Sequence, residues 1–468
     1  MAHVCRILPA MNITATYIQP ILAAIQAAGG RPLIVGGAVR DALMGAEVKD
    51  FDIEVYDLPI DQLLELLAGF GRVDAVGRSF GILKLRTPAG YELDISLPRR
   101  ESKIGAGHRG FLAAPDPTMT PREAAARRDF TWNALAVTPE GELLDFFGGA
   151  ADLSAGIIRH TTAAFAEDPL RVLRAMQFAA RFDMRLAPET AALCRTLLPE
   201  ASTLATERIW GEWQKWALKG RKPAAGLRVL AETGWLTLYP ELAALTECPQ
   251  DPLWHPEGSV WLHTLYVCDA AAVIAEREQL VDDQRAILLL AALCHDLGKP
   301  ATTATGADGR IRSPRHAQAG VEMTEALLRR IGCPRALVAQ VAPLVREHMA
   351  HIGMQVSDRA VRRLALRLAP ATITQWGRLI EADHSGRPPL PASNPGATIV
   401  ALADQLSVST GRPAPILQGR HLLATGRTPG PALGAALDRA YHAQIDGAFD
   451  SVEEGLAWVA RHSANVND

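Results

Sequence analysis

"VGGAVRDALMGAEVKDFDIEV", residues Val35–Val55, decides how this chain folds. The run "PLIV" leading into it ends at two glycines, as a strand does on entering a tight turn. "AVRDALMG" fits a helix with a glycine stop. "FDIEVY", from Phe51, alternates like a strand. Asp50 and Asp52 flank Phe51, so on a strand their side chains share a face. Magnesium is a hard cation held by one or two carboxylates together with substrate phosphates. Two such ions about 4 Å apart serve phosphoryl transfer. Asp94, in "ELDIS", fits a third ligand on a neighbouring strand. Gly36 and Gly37 let backbone N–H groups approach a triphosphate, and Arg40 offers charge to its oxygens. A DxD pair alone reads more readily as two exposed aspartates. The glycines and arginine at this spacing turn the reading toward phosphate chemistry.

The rest of the chain is that of a globular protein. Its 468 residues suggest about three domains. A 48% hydrophobic composition supplies a large core. No apolar run approaches the roughly 20 residues of a membrane span. The opening "MAHVCRILPAMN" lacks the pattern of a secretory signal, so a cytoplasmic protein without a membrane partner is expected. Cys5, Cys194, Cys248, Cys268, Cys294 and Cys333 are scattered and form no CxxC pair. They read as reduced thiols. A net charge of −3 neither demands nor excludes nucleic acid.

Four regions are expected. Residues 1–150 form an α/β head, 151–245 a helical neck and body, 246–390 a second helical domain and 391–468 a helical tail. The Pro-rich stretch "CPQDPLWHPEG" and the run "GRPPLPASNPG" mark boundaries.

Further motifs follow in order. They are "RRESKIGAGHRGF" from Arg99, "RRDFTWNALA" from Arg127, "EDPLRVLRAMQFAARF" from Glu167 and "ERIWGE" from Glu207. Together with the opening stretch they resemble class II nucleotidyltransferases of the polymerase-β superfamily. These are the CCA-adding tRNA nucleotidyltransferases and the bacterial poly(A) polymerases. The resemblance implies a polymerase-β-like α/β head, with Asp50, Asp52 and Asp94 catalytic and Mg2+ on Asp50 and Asp52. It assigns nucleotide binding to Gly36, Gly37, Arg40, Arg128, Asp129, Asp168 and Arg171. Asp129 is then the acceptor for a ribose hydroxyl. Asp168 and Arg171, at i and i+3 on a helix, share a face and together mimic a Watson–Crick edge. The alternative for that pair is a surface ion pair of little worth. Arg127 reads as phosphate contact or as a solvated basic turn. Arg208 and Glu212 read as a brace. Trp210, Trp213 and Trp216 read as core rather than as a base-stacking stripe.

A second constellation lies further on. His263, the adjacent His295 and Asp296, and Asp383 are one imidazole–carboxylate set. Such a set suits Mn, Ni, Co, Fe or Zn. The order H…HD…D resembles the HD metal-dependent phosphohydrolase superfamily. His316 and His348 stand where binuclear members carry further ligands, and read equally as ordinary histidines. His255, His351 and His384 read as non-ligands. An appended HD domain implies phosphatase, 2′-nucleotidase or 2′,3′-cyclic phosphodiesterase activity. Basic segments at Arg99–Arg109, Lys215–Lys222 and Arg359–Arg367, with Arg420 and Arg427, read as phosphate contacts or as solvated surface.

The expected function is addition of CCA to tRNA 3′ ends from CTP and ATP. The alternative is poly(A) or single-A addition. "GRSFG", Gly77–Gly81, resembles the CCA form more than the poly(A) form, and the loop Lys103–Phe111 speaks against a CC-only enzyme. A reading of another class is an HD phosphohydrolase whose head only binds RNA.

Overall fold

The computed structural model describes residues 17–48, 50–77, 81–103 and 111–462. Arg78–Phe80 and the centre of the loop that follows Arg99 lie outside these residues. Contact density divides the chain into two compact units. One holds residues up to Glu212 with Ala225–Trp235, the other Trp213–Ala224 with Leu236 onward.

The first unit is built on a mixed sheet. Its strands are β1 (Arg31–Val35), β2 (Asp52–Tyr56), β3 (Arg72–Gly77), β4 (Ile82–Arg86) and β5 (Glu92–Ser96). After the hairpin β6 (Arg99–Lys103) and β7 (Phe111–Pro115) come β8 (Ala136–Val137) and β9 (Leu143–Leu144). The order across the sheet is β3-β4-β5-β2-β1-β8-β9, and β6 pairs with β7 apart from it. The alternation read from the sequence is real: Ile53 and Val55 are buried while Asp52 is exposed. β2 and β5 run parallel, with Asp52 opposite Asp94 in register. Strand partners in register point the same way, so the two carboxylates sit side by side.

Gly36 turns the chain from β1 into the helix Gly37–Leu43. It has φ +68° and ψ −127°, a region closed to most side chains. Below the helix Leu170–Phe182 lies an aromatic knot. Phe130 and Trp132 stack at 5.3 Å, and Phe178 meets Trp132 edge-on at 4.9 Å. Burial of each ring contributes about 1.5–3 kcal/mol. The knot therefore ties the "RRDF" segment to the "EDPLR" helix.

The second unit is helical. Its central helix, Asp282–Cys294, is buried on every side from Ala286 to Cys294, as a core helix should be. Around it stand Val260–Arg277, His316–Arg330, Arg335–Glu347 and Ile373–Ser385. Ser259 and Thr372 cap two of them through their side chains. Gly298 allows one close approach. A Cβ there would fall 2.1 Å from the His316 carbonyl oxygen. Trp213 and Trp216 are fully buried, and their indole N–H groups donate to Tyr239 Oη and the Pro223 carbonyl. These two are core, as expected. The tail has its own small core of Leu417, Leu422, Ala436, Ala440, Phe449 and Val459. No helix among the described residues is long and apolar enough to cross a membrane.

Candidate nucleotide site and candidate metal centre

One hollow of about 490 Å3 in the first unit gathers most of the expected nucleotide residues. Gly36, Gly37, Arg40, Asp52, Arg128, Asp129, Asp168 and Arg171 all line it. Asn133, Arg174, Phe178 and Arg208 line it too, and sequence reading passed over the first three of these. A second hollow of about 340 Å3 shares Asp52 and Arg128 with the first, and adds Glu54, Arg99 and Arg127.

Gly36 forms part of the floor. A Cβ there would stand 3.0 Å from Arg128 Nη1 and 3.6 Å from Asp52 Oδ2. Burial raises the Asp52 carboxyl above its ordinary value, and Asp94, Asp50 and Glu54 push the same way against Arg128. A desolvated carboxylate among like charges is a donor set suited to a hard cation. Asp50 is exposed in the loop before β2. Asp94 meets Lys84 at 3.3 Å.

Asp129 is buried, with 7% of its surface exposed. Oδ1 accepts from the Phe130 N–H and from Asn133 Nδ2 at 2.8 and 2.9 Å. Oδ2 accepts from Arg174 Nε at 2.6 Å. Burial alone would raise this carboxyl, but Arg174, Asn133 and Arg171 together hold it below its ordinary value. A carboxylate has about four acceptor positions, so one is left for a ligand hydroxyl.

Asp168 departs from the helical spacing assumed for it. It precedes the helix, with φ −130° and ψ 103°. The cause is Pro169, which pushes the residue before it out of the helical region. Asp168 instead accepts from the Leu170 N–H at 3.1 Å and from Arg208 Nη2 at 2.7 Å. Arg171 donates to the carbonyls of Ala164 and Arg127, both at 2.7 Å. The Asp–Arg pair still faces one hollow, each member braced from behind. Arg208 thus braces Asp168, a partner that the expected Arg208–Glu212 brace leaves out. Arg40 is pinned more firmly than a free phosphate contact would be. It bonds Asp41 and Asn133 and lies over the rings of Trp132, Phe178 and Phe182. Arg127 pairs with Glu167.

The second unit brings together the four expected metal ligands and the two histidines left open as further ones. His263, His295, Asp296, His316, His348 and Asp383 are all buried. Three rings turn Nδ1 outward to a carbonyl three residues back. His295 meets Ala292, His316 meets Ser313 and His348 meets Val345, at 2.8, 2.8 and 2.7 Å. A carbonyl only accepts, so each Nδ1 carries the proton and each Nε2 presents a lone pair inward. His263 Nδ1 meets Glu257 Oε1 at 2.8 Å.

The inward nitrogens crowd each other. His263 and His295 Nε2 lie 3.2 Å apart, and His316 and His348 Nε2 3.1 Å apart. Asp296 lies between the pairs. Its Oδ2 is 3.2 Å from His295 and 3.7 Å from His263, and its Oδ1 is 3.3 Å from His316 and 3.9 Å from His348. Asp383 Oδ1 is 3.1 Å from His263 Nε2. Asp296 Oδ2 is buried with no hydrogen-bond partner. Lys299 Nζ stands 2.7 Å away as an ion pair. Facing lone pairs around a buried carboxylate fit divalent cations on both sides of Asp296. His295 and Asp296 lie just past the last helical residue, Cys294, where the turn frees both to face inward.

Glu257, Lys299 and Gln250 were not foreseen, and His255, read as a non-ligand, stands against Glu257 beside the cluster. Glu257 accepts from His255 and His263, and Lys299 donates to Gln250. The Pro-rich stretch read as a boundary supplies Gln250, Asp251, Trp254 and His255 to the hollow beside the cluster. Several basic residues read as phosphate contacts or as solvated surface are paired with carboxylates of the chain. Arg359 and Arg363 hold Asp446, and Arg367 holds Glu347.

A sheet with a glycine turn and paired carboxylates, facing an arginine-rich hollow, is the head of a polymerase-type nucleotidyltransferase; the buried histidine cluster is that of an HD domain. Family models agree. The Poly A polymerase head domain matches residues 33–159, the probable RNA and SrmB-binding site of polymerase A residues 183–245, and the HD domain residues 260–409. The chain is 38% identical over 427 residues to the multifunctional CCA protein of Xanthomonas oryzae pv. oryzae, spanning 89% of this chain and 98% of that one. Against the namesake from Nitrosococcus oceani it is 36% identical over 363 residues, 76% of this chain and 84% of that one. The chain therefore belongs to the family of multifunctional CCA proteins and is an enzyme of the nucleotidyltransferase class. Among solved structures, an apo CCA-adding enzyme superposes with a TM-score of 0.64 at 21% identity, over 96% of this chain and 97% of that one. The Bacillus stearothermophilus CCA-adding enzyme in complex with CTP gives 0.65 at 20%, over 96% and 98%. At these identities the likeness carries the fold.

Proposed function

We propose that this protein adds CMP, CMP and AMP in turn to tRNA 3′ ends, drawing on CTP and ATP. The observation that carries the reading is the single hollow joining Asp52 to Asp129, Asp168 and Arg171. The tRNA 3′-hydroxyl forms a bond to the α-phosphorus, and the α–β bond breaks to release pyrophosphate. Asp50 and Asp52, with Asp94 alongside, would hold the Mg2+ ions. Such ions would supply charge to favour the attacking hydroxyl and to neutralise the leaving phosphates. Arg128 and Arg174 supply positive charge along the hollow. The fourth acceptor position of Asp129 takes a ribose hydroxyl. Asp168 and Arg171, held still by Arg208 and two carbonyls, present an acceptor and a donor to the base edge.

The HD domain serves as a second, hydrolytic centre. His263, His295, Asp296 and Asp383 would hold one transition-metal ion, among Mn, Ni, Co, Fe and Zn. His316 and His348, with Asp296, would hold another. The four-part division at residues 150, 245 and 390 is kept as part of this reading; the family matches break near its first two boundaries, at 159 and between 245 and 260, while the HD match runs on past 390 to 409. These substrates put the work in the cytoplasm.

The test is incubation of tRNA lacking its CCA end with each triphosphate, alone and together, followed by product sizing. CTP alone should extend by two residues and CTP with ATP by three. Long tails from ATP alone, with no use of CTP, would select the poly(A) reading instead.

A further inference from the structure

The hollow beside the histidine cluster encloses about 680 Å3. Asp296, His316, His348 and Asp383 form one wall. His384 and Arg387, just past Asp383, line it as well, and so do Trp254 and Ile352. Those last two are 57% and 63% exposed, so they form an apolar rim on a wet opening.

Arg387 is set apart from the other cations of this wall. Lys299 is engaged by Asp296 and Gln250, and Arg312 by both oxygens of Asp308. Arg387 touches the neutral His384 ring through Nη2, and its Nε is buried with no hydrogen-bond partner. Among the described residues no carboxylate lies within ion-pair distance of it. A guanidinium left with a buried, unsatisfied donor costs free energy until an acceptor arrives. Planar paired N–H groups match two oxygens of a phosphate. An exposed indole at the rim offers a stacking face for a base.

We propose that Arg387 holds the phosphate of a nucleoside phosphate in the HD hollow, while Trp254 stacks on its base. This rests on the reading of the HD domain as a hydrolytic centre. Arg387 is then a substrate-holding residue distinct from the metal ligands, and Trp254 sets the preference for nucleosides over plain phosphoesters.

The experiment uses the full-length, metal-loaded protein with p-nitrophenyl phosphate and a nucleoside 2′-monophosphate. Arg387→Ala should raise KM for both by roughly tenfold or more, the loss of one charge-assisted bond, with kcat little changed. Arg387→Lys should recover part of it. Trp254→Ala should raise KM for the nucleotide alone. Metal content by mass spectrometry and nucleotidyl transfer by the head should match wild type in all variants. Unchanged KM in Arg387→Ala, or metal lost from it, overturns the proposal. Should the wild type hydrolyse neither compound, the hydrolytic reading fails, and equilibrium dialysis with inorganic phosphate decides this one. Retention by wild type and loss in Arg387→Ala sustains it; equal retention sinks it.

Discussion

Arg174→Ala is the sharpest test of how the head is held. Asp129 is 7% exposed and keeps only the Phe130 N–H and Asn133 once the guanidinium is gone. A fully buried pair broken in this way costs about 3–5 kcal/mol. Arg174 is 32% exposed, so water softens the loss. A figure of about 2 kcal/mol follows, the size of one charge-assisted hydrogen bond. For a domain of this size that lowers the melting temperature by about 4–8 °C. The sign with pH is distinctive. In the native protein the Asp129 carboxyl lies below its ordinary value, so its contribution is present above the unfolded pKa and fades only as pH falls through the folded one. Without Arg174, burial is countered only by Asn133, the Phe130 N–H and Arg171, and the carboxyl rises. Its charged form is then penalised at neutral pH and relieved as the solution becomes acidic. Melting curves at pH 7 and near pH 4.5, with Asp129→Asn and the double variant completing the cycle, read this directly. The deficit of Arg174→Ala should shrink on acidification, and Asp129→Asn should recover part of it. An unchanged melting temperature at pH 7, or a deficit that widens in acid, refutes the reasoning.

Other outcomes follow from the same geometry. Asp52→Asn should lower nucleotide incorporation by about a hundredfold or more while melting normally, since it removes one of several mutually repelling carboxylates. A radiolabelled-nucleotide assay beside a thermal melt checks both halves. His348→Ala should lose roughly half of the bound transition metal, and Asp296→Ala nearly all, because Asp296 faces both histidine pairs; metal analysis after dialysis distinguishes them. Gly298→Ala should destabilise the second unit by about 3 kcal/mol, since its methyl group meets backbone that cannot swing aside. An unaltered melting curve would contradict that. Affinity for tRNA should fall steeply between low and physiological salt, as phosphate contacts by arginine require, and a flat titration would count against a basic docking face.

Local rules made much of this legible. Alternation in β2 and the glycine turn after β1 depend on neighbours in sequence, while the H…HD…D order, whose members stand up to 120 residues apart, was legible through its resemblance to a known superfamily. What escaped depended on distance or on one overriding residue. Pro169 moved Asp168 off its helix, against a spacing argument that treats every position alike. Arg208 meets Asp168 across 40 residues of chain, and Arg174 meets Asp129 across 45. No period in the sequence announces such pairs. Glu257 and Trp254 hid in a proline-rich stretch that composition marks as a connector. The paired arginines of the Arg359–Arg367 segment show the reverse. A charge run says nothing of whether its partners are phosphates or the chain's own carboxylates.

Three imidazoles of the HD cluster are moored to carbonyls only three residues behind them. Their aim is thus held within short peptide segments. Distant packing brings together rings whose orientation those local bonds hold. The outer layers of this domain are accordingly at liberty to drift in evolution, and stripping its ions should leave the rings facing an empty centre rather than scattered.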